Sequence, residues 1–209
     1  MGDNILHYNG GVVLAMAGEG CYAMASDRRF GVRQTTLACN AKHIFNPSGV
    51  SPTTHIALSG LMSDVQTFEQ KLAHRSALFS LREDRTLGPK QLTSLVSSML
   101  YEHRFGPYFV EPVIAGLDEN GNPYLSGTDL IGAIVHTDDF VVAGTAAESL
   151  FGMCESVWRP GLGPEDLFET VSQALTAAVD RDCLSGWGAE VKIVTKDKVI
   201  TRYLKARMD

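Results

Sequence analysis

Two stretches of this chain combine residue types that can do chemistry. In the first, the apolar run Ala23-Met24-Ala25 leads into Ser26 and Asp27, and Arg28 and Arg29 follow. A carboxylate that closes an apolar strand can orient a basic group, and beside arginines it can equally form a buried ion pair or cap a turn. In the second, Asp180-Arg181-Asp182-Cys183-Leu184-Ser185-Gly186 gathers acid, base, hydroxyl and glycine. Cys21, Ser26, Thr35 and Thr36 are candidate internal nucleophiles, each needing a base within hydrogen-bond reach. The common site motifs are absent: no G-x-x-x-x-G-K-[ST] phosphate loop, no H-E-x-x-H and no G-x-S-x-G elbow. The histidines are dispersed singly, which gives no metal-ligand spacing. Asp138-Asp139 and Glu165-Asp166 are paired acids that fit a turn and a helix start. The cysteines (Cys21, Cys39, Cys154 and Cys183) form no C-x-x-C pair and read as buried, reduced thiols.

The elements that must position these residues follow from apolar spacing. Val12 to Met16 and Cys21 to Ser26 are strand-length runs around Gly18-Glu19-Gly20, a hairpin signal. Thr35 to Ala38 and Thr54 to Leu58 are further strands. Helical spacing begins at Met62, with Val65, Phe68, Leu72 and Phe79 on one face. A second helix follows Gly88-Pro89, where proline suits a first turn, and carries Leu92, Leu95, Val96, Met99 and Leu100. Strands return at Val113 to Leu117 and Tyr124 to Ser126, joined through Asn120-Gly121. Phe140 to Ala143 is another strand. Two helices come next, one from about Ala146 to Val157 and one opening at Gly163-Pro164 with Glu165 and Asp166 in its first turn. Val191 to Val194 and Val199 to Thr201 close the chain. Helices in pairs between groups of strands do not suit a parallel sheet, and the order fits an α+β domain of antiparallel sheets covered by helix pairs.

Composition narrows the function classes. The 209 residues carry 18 Lys plus Arg against 24 Asp plus Glu, a net charge of −6. Such a chain has no basic cluster for a nucleic-acid backbone or an anionic membrane. With 44% hydrophobic and 20% charged residues it has the balance of a globular domain rather than of a disordered or coiled-coil chain. No apolar run reaches the roughly 18 residues of a membrane span, and the N-terminus lacks the basic and apolar regions of a secretory signal. No linker or internal repeat divides residues 1–209, so one domain is expected.

Asp27 and Arg29 after a hairpin, Leu58-Ser59-Gly60 before a long helix, and Arg181-Asp182-x-x-Ser185-Gly186 after the last helix together resemble the proteasome beta subunits, members of the N-terminal-nucleophile (Ntn) hydrolases. Tyr101-Glu102-x-Arg104-Phe105-Gly106-Pro107-Tyr108, Glu111 to Asp118, Thr137 to Val142 and Leu204 to Asp209 are similar to a non-catalytic member of that family. The resemblance covers nearly the whole chain. It implies a four-layer αββα sandwich, two antiparallel sheets flanked by helix pairs.

It also implies where an active site would sit. In catalytic members a Thr freed at the mature N-terminus attacks the peptide carbonyl, a Lys oriented by an Asp tunes the local charge, and a backbone N–H stabilises the oxyanion. Asp27 matches the orienting Asp, and counting back sixteen residues puts the nucleophile at Gly11, preceded by Gly10. Glycine can neither attack a peptide nor cleave its own leader. The Lys position falls on His43, or on Lys42 with a shift of one. Gly60 matches the oxyanion glycine, Thr145 stands where the family often has Ser, and Asp182, Ser185 and Gly186 match the group supporting the Thr amine. The resemblance therefore implies a vestigial site, a retained extension over residues 1–10, and neither metal nor cofactor. Its implied partners are other beta-type and alpha-type subunits of the 20S core, with regulatory particles reached through the assembled core, in cytoplasm and nucleus. The segment Tyr124 to Asp129, with Ser126 and Asp129, matches the wall completing a neighbour's trypsin-like pocket. Only ten residues precede Gly11, too few for the extra N-terminal helix of an alpha-type subunit. The competing reading is an active threonine or cysteine hydrolase with a non-terminal nucleophile.

Overall fold

A computed structural model describes residues 4–207. Its strands and helices alternate in groups. β1 (Val12–Gly18) and β2 (Cys21–Asp27) form a hairpin closed by Glu19 and Gly20, with Gly18 paired to Cys21. β3 (Phe30–Val32) and β4 (Thr35–Ala38) make a small separate ribbon. β5 (Ile44–Phe45) and β6 (Thr54–Gly60) lead into α1 (Met62–Glu83) and α2 (Pro89–Glu102). β7 (Val110–Leu117), β8 (Pro123–Thr128), β9 (Ile134–Thr137) and β10 (Phe140–Gly144) follow. α3 (Ala147–Val157), α4 (Pro164–Val179), β11 (Ala189–Thr195) and β12 (Val199–Leu204) complete the order.

Two five-stranded sheets result, ordered β10-β1-β2-β11-β12 and β5-β6-β7-β8-β9, with neighbouring strands antiparallel throughout. Period-two alternation decides what each sheet face meets. In β1, Val12, Leu14 and Met16 pack against α3 and α4, beside Leu150, Leu167, Val171 and Leu175. Val13, Ala15 and Ala17 face the other way, into a core shared with Ala57, Val113, Ala115 and Leu125 of the second sheet. That sheet presents Ile56, Leu58 and Ile114 to Val65, Phe68, Leu72, Leu92 and Val96 of α1 and α2. The architecture is the α+β, four-layer αββα sandwich of the Ntn hydrolases.

All four helices lie where apolar spacing places them, and α2 and α4 both start with Pro at the first turn after Gly88 and Gly163. Three strands escaped the sequence reading. β3 and β5 are only three and two residues long, and β9 is an edge strand with exposed Ile134 and Val135, so none shows a buried alternation.

Candidate functional site

The candidate residues converge because they end strands at one edge of the first sheet. Gly11 precedes β1, Asp27 ends β2, Thr145 follows β10, and Gly186 lies just before β11. Strand pairing holds these ends together: Val12 is opposite Gly144, and Asp27 is opposite Ala189.

Asp27 is wholly buried. One carboxylate oxygen accepts the Val12 N–H at 3.0 Å, and the other accepts the Gly186 N–H at 3.0 Å. Burial raises its pKa, while the field of His43 and the amides of Val12, Gly186 and Arg29 oppose that rise. The His43 Nε2 lies 3.7 Å from Asp27 Oδ1, and both side chains are fully enclosed. Lys42 turns away, its ammonium 5.3 Å from the centre of the Phe45 ring. His43, not Lys42, therefore faces Asp27.

Gly11 faces this pair. A Cβ built on it would lie 3.1 Å from His43 Cε1 and 3.6 Å from Asp27 Oδ1. Its φ is +127°, a conformation side-chain-bearing residues rarely adopt. The imidazole thus fills the space in front of Gly11.

The second stretch forms the flank. Asp182 Oδ2 accepts the hydroxyls of Thr145 and Ser185, each at 2.6 Å, and its Oδ1 accepts the Leu184 N–H at 3.1 Å. Thr145 also donates its N–H to the Gly11 carbonyl at 2.9 Å. Gly60 ends β6 at φ +111°, a conformation that favours glycine. It lies two residues beyond Leu58, whose carbonyl accepts from His43 Nδ1 at 3.0 Å.

Two expectations change. Arg29 does not ion-pair with Asp27: its buried guanidinium donates to Thr36 Oγ1 and to the carbonyls of Asn9, Leu184 and Arg33. Ser126 is fully buried, and its hydroxyl meets Thr93 Oγ1 of α2 at 2.8 Å, so it faces the helices instead of a neighbour's pocket. Asp129 is exposed, but its Oδ1 accepts the N–H groups of Ile131 and Ala133 and caps that loop. Asn9 was missed. Its buried amide donates to the Gly31 carbonyl and accepts the Met62 N–H, tying the segment before Gly11 to the start of α1. The only sequence signal was an Asn before Gly-Gly, which reads as an ordinary turn.

The internal nucleophiles gain no base. Burial pushes the Cys21 thiol up, with Glu19 adding to the shift, which disfavours the thiolate; Cys154 is also buried, but Cys39 and Cys183 are exposed, contrary to the expected burial. Ser26 Oγ is buried without a partner among the described residues, Thr36 Oγ1 receives Arg29, and Thr35 is exposed on β4. Among the described residues no group of three His, Cys, Asp or Glu side chains is placed to hold a metal ion, and no helix is long and apolar enough to cross a membrane.

The family model for proteasome subunits matches residues 7–194. The chain belongs to the proteasome subunit family. It is 52% identical over 206 residues to the proteasome subunit beta type-3 of Picea mariana, covering 99% of this chain and 100% of that protein. The beta type-3 subunit of Drosophila melanogaster is 49% identical over 207 residues, and that of Trypanosoma brucei brucei 51% over 209, with the same coverage. The arrangement around Asp27 thus lies in a chain of this family, with a glycine in front of Asp27 and His43.

Proposed function

We propose that this proteasome family member is a non-catalytic beta-type subunit of the 20S core, a single domain over residues 1–209 that holds neighbouring subunits in the ring and takes part in protein degradation without cleaving peptides. Gly11 is the observation that carries this reading: the residue facing Asp27 and His43 has no side chain, and a positive φ that a threonine would occupy under strain. Acyl transfer by this family's chemistry needs a hydroxyl or thiol at that point. Residues 1–10 remain attached, because self-cleavage would require the same missing group. Their described part is anchored, through Asn9 to Gly31 and Met62 and through the Tyr8 carbonyl to the Arg33 N–H.

On this reading Asp27, His43, Gly60, Thr145, Asp182, Ser185 and Gly186 are structural remnants of a site. A hydrogen-bonded cluster joining strand ends is costly to leave half satisfied, which explains its persistence without chemistry. The partners are other beta-type and alpha-type subunits, with regulatory particles engaged through the assembled core and no role for nucleic acid, membrane or cofactor. The setting is cytoplasm and nucleus. Asp129 is proposed to face a neighbour's substrate channel.

Intact-mass analysis of the subunit from purified particles, paired with a fluorogenic-peptide assay of the isolated chain, tests the proposal. The expected result is the full leader and no hydrolysis. A mass beginning at Gly11, or hydrolysis that follows the chain through purification, would overturn it.

A further inference from the structure

The Leu58 carbonyl can only accept a hydrogen bond, so the His43 Nδ1 lying 3.0 Å from it carries a hydrogen. In a neutral ring that assignment leaves Nε2 as a bare lone pair. Nε2 is buried, has no hydrogen-bond partner among the described residues, and lies 3.7 Å from Asp27 Oδ1. An ionised Asp27 and a bare Nε2 would be two acceptors facing each other at 3.7 Å, both fully enclosed. Leaving both unsatisfied is expensive in a buried setting. A single proton removes the conflict, either as Nε2–H donating to the carboxylate or as a carboxyl O–H donating to Nε2.

We propose that the Asp27–His43 pair holds one proton as a unit at neutral pH, and that losing it at alkaline pH loosens the junction between the two sheets. The inference goes beyond the scaffold reading, since it concerns how this chain keeps its closed site stable.

Surrounding groups leave that proton to the pair. Arg29 spends its guanidinium on Thr36 and three carbonyls. Asp182 is directed at Thr145 and Ser185, Lys42 at Phe45, and Glu111 at the Gly144 N–H. The groups acting on Asp27 are His43 and the amides of Val12, Gly186 and Arg29. Burial raises the Asp27 pKa, so the carboxyl form is accessible within the pair. The folded chain then binds one proton more than the unfolded chain in alkali, and stability falls as pH rises.

The test uses the full-length chain with labelled histidine and aspartate side chains, assigned with His43→Gln. At pH 7, NMR should show one proton in the pair: a doubly protonated His43 ring beside an ionised Asp27, or a protonated Asp27 carboxyl. A bare Nε2 beside an ionised Asp27 at that pH overturns the proposal. Urea unfolding from pH 7 to about pH 9.5 gives the second readout. Gln offers a neutral N–H throughout, so wild type should lose stability relative to His43→Gln, by up to about tenfold in the unfolding constant per pH unit. Parallel pH profiles of the two proteins would also sink it. If the variant does not fold, the wild-type spectrum decides alone.

Discussion

At residue scale the decisive position is Gly11, and the loss there involves more than a missing hydroxyl. Its φ of +127° and the His43 ring 3.1 Å from where a Cβ would stand mean that backbone and neighbour have both adjusted to glycine. Gly11→Thr should therefore destabilise the full chain by about 1–3 kcal/mol, the range for a side-chain-bearing residue held in a sparsely populated conformation. Peptide hydrolysis should stay at background, because the hydroxyl would arrive in a strained frame with the His43 ring filling the space in front of it. Urea unfolding and a fluorogenic-peptide assay check the two parts separately. Much of this site was legible in the sequence, since the distance from Asp27 back to Gly11 is fixed by one hairpin with a two-residue turn. What sequence left open was rotational. Lys42 and His43 are adjacent in a stretch with no alternation to phase it, so only coordinates show which one points at Asp27. Ser126 failed for a related reason: Tyr124 to Asp129 was taken as one wall, but successive residues of β8 face opposite sides.

At element scale the two sheets meet through apolar side chains and a few polar contacts, among them that of Tyr22 with His55. The Tyr22 hydroxyl donates to the Thr53 carbonyl at 3.0 Å, so its 2.8 Å contact with His55 Nδ1 must be a bond donated by the histidine. Burial, with the field of Lys192 adding, pushes the His55 pKa from 6.5 down to about 4. A depressed histidine pKa means that the unfolded chain binds the proton first. Stability carried by neutral His55 is thus complete above about pH 6.5 and is lost as pH falls toward 4, by about 3 kcal/mol in all. His55→Gln, which keeps a donor for Tyr22, should flatten that acid limb in urea midpoints measured against pH. If the variant's slope over this interval matches wild type, His55 is not the titrating group. Helices and long strands were readable because each buries a regular stripe. His55 was not, since a lone histidine inside an apolar strand carries no sign of its partner 33 residues away.

At the scale of the whole molecule, the scaffold proposal makes the exposed surfaces of one chain the candidates for contact with ring neighbours. Tyr203 is 63% exposed on β12, with Arg28 over its ring, and the chain continues past Leu204. Removing residues 202–209 would be a poor test of this tail, because Arg202, Tyr203 and Leu204 pair with Val191, Glu190 and Ala189, so folding would suffer too. Removing residues 205–209 spares the sheet. That truncation should fold with an unchanged circular dichroism spectrum and enter particles less efficiently, and normal particle yield would count against a role for the tail. The opposite edge carries Asp129, beside an apolar groove lined by Leu130, Val135, Val141 and Phe151. Its Oδ1 already caps the loop, so two substitutions separate charge from structure. Asn can still accept from Ile131 and Ala133, whereas Ala cannot. If the exposed carboxylate attracts basic peptides into a neighbour's pocket, Asp129→Asn should raise KM for trypsin-like cleavage by assembled particles and leave kcat unchanged, the pattern of lost uniform binding. Raising the ionic strength should shrink the difference, since an exposed charge is screened. The chymotrypsin-like and caspase-like activities of the same particles are the internal controls. A particle in which Asp129→Asn changes nothing while Asp129→Ala lowers assembly would assign this residue to the loop alone.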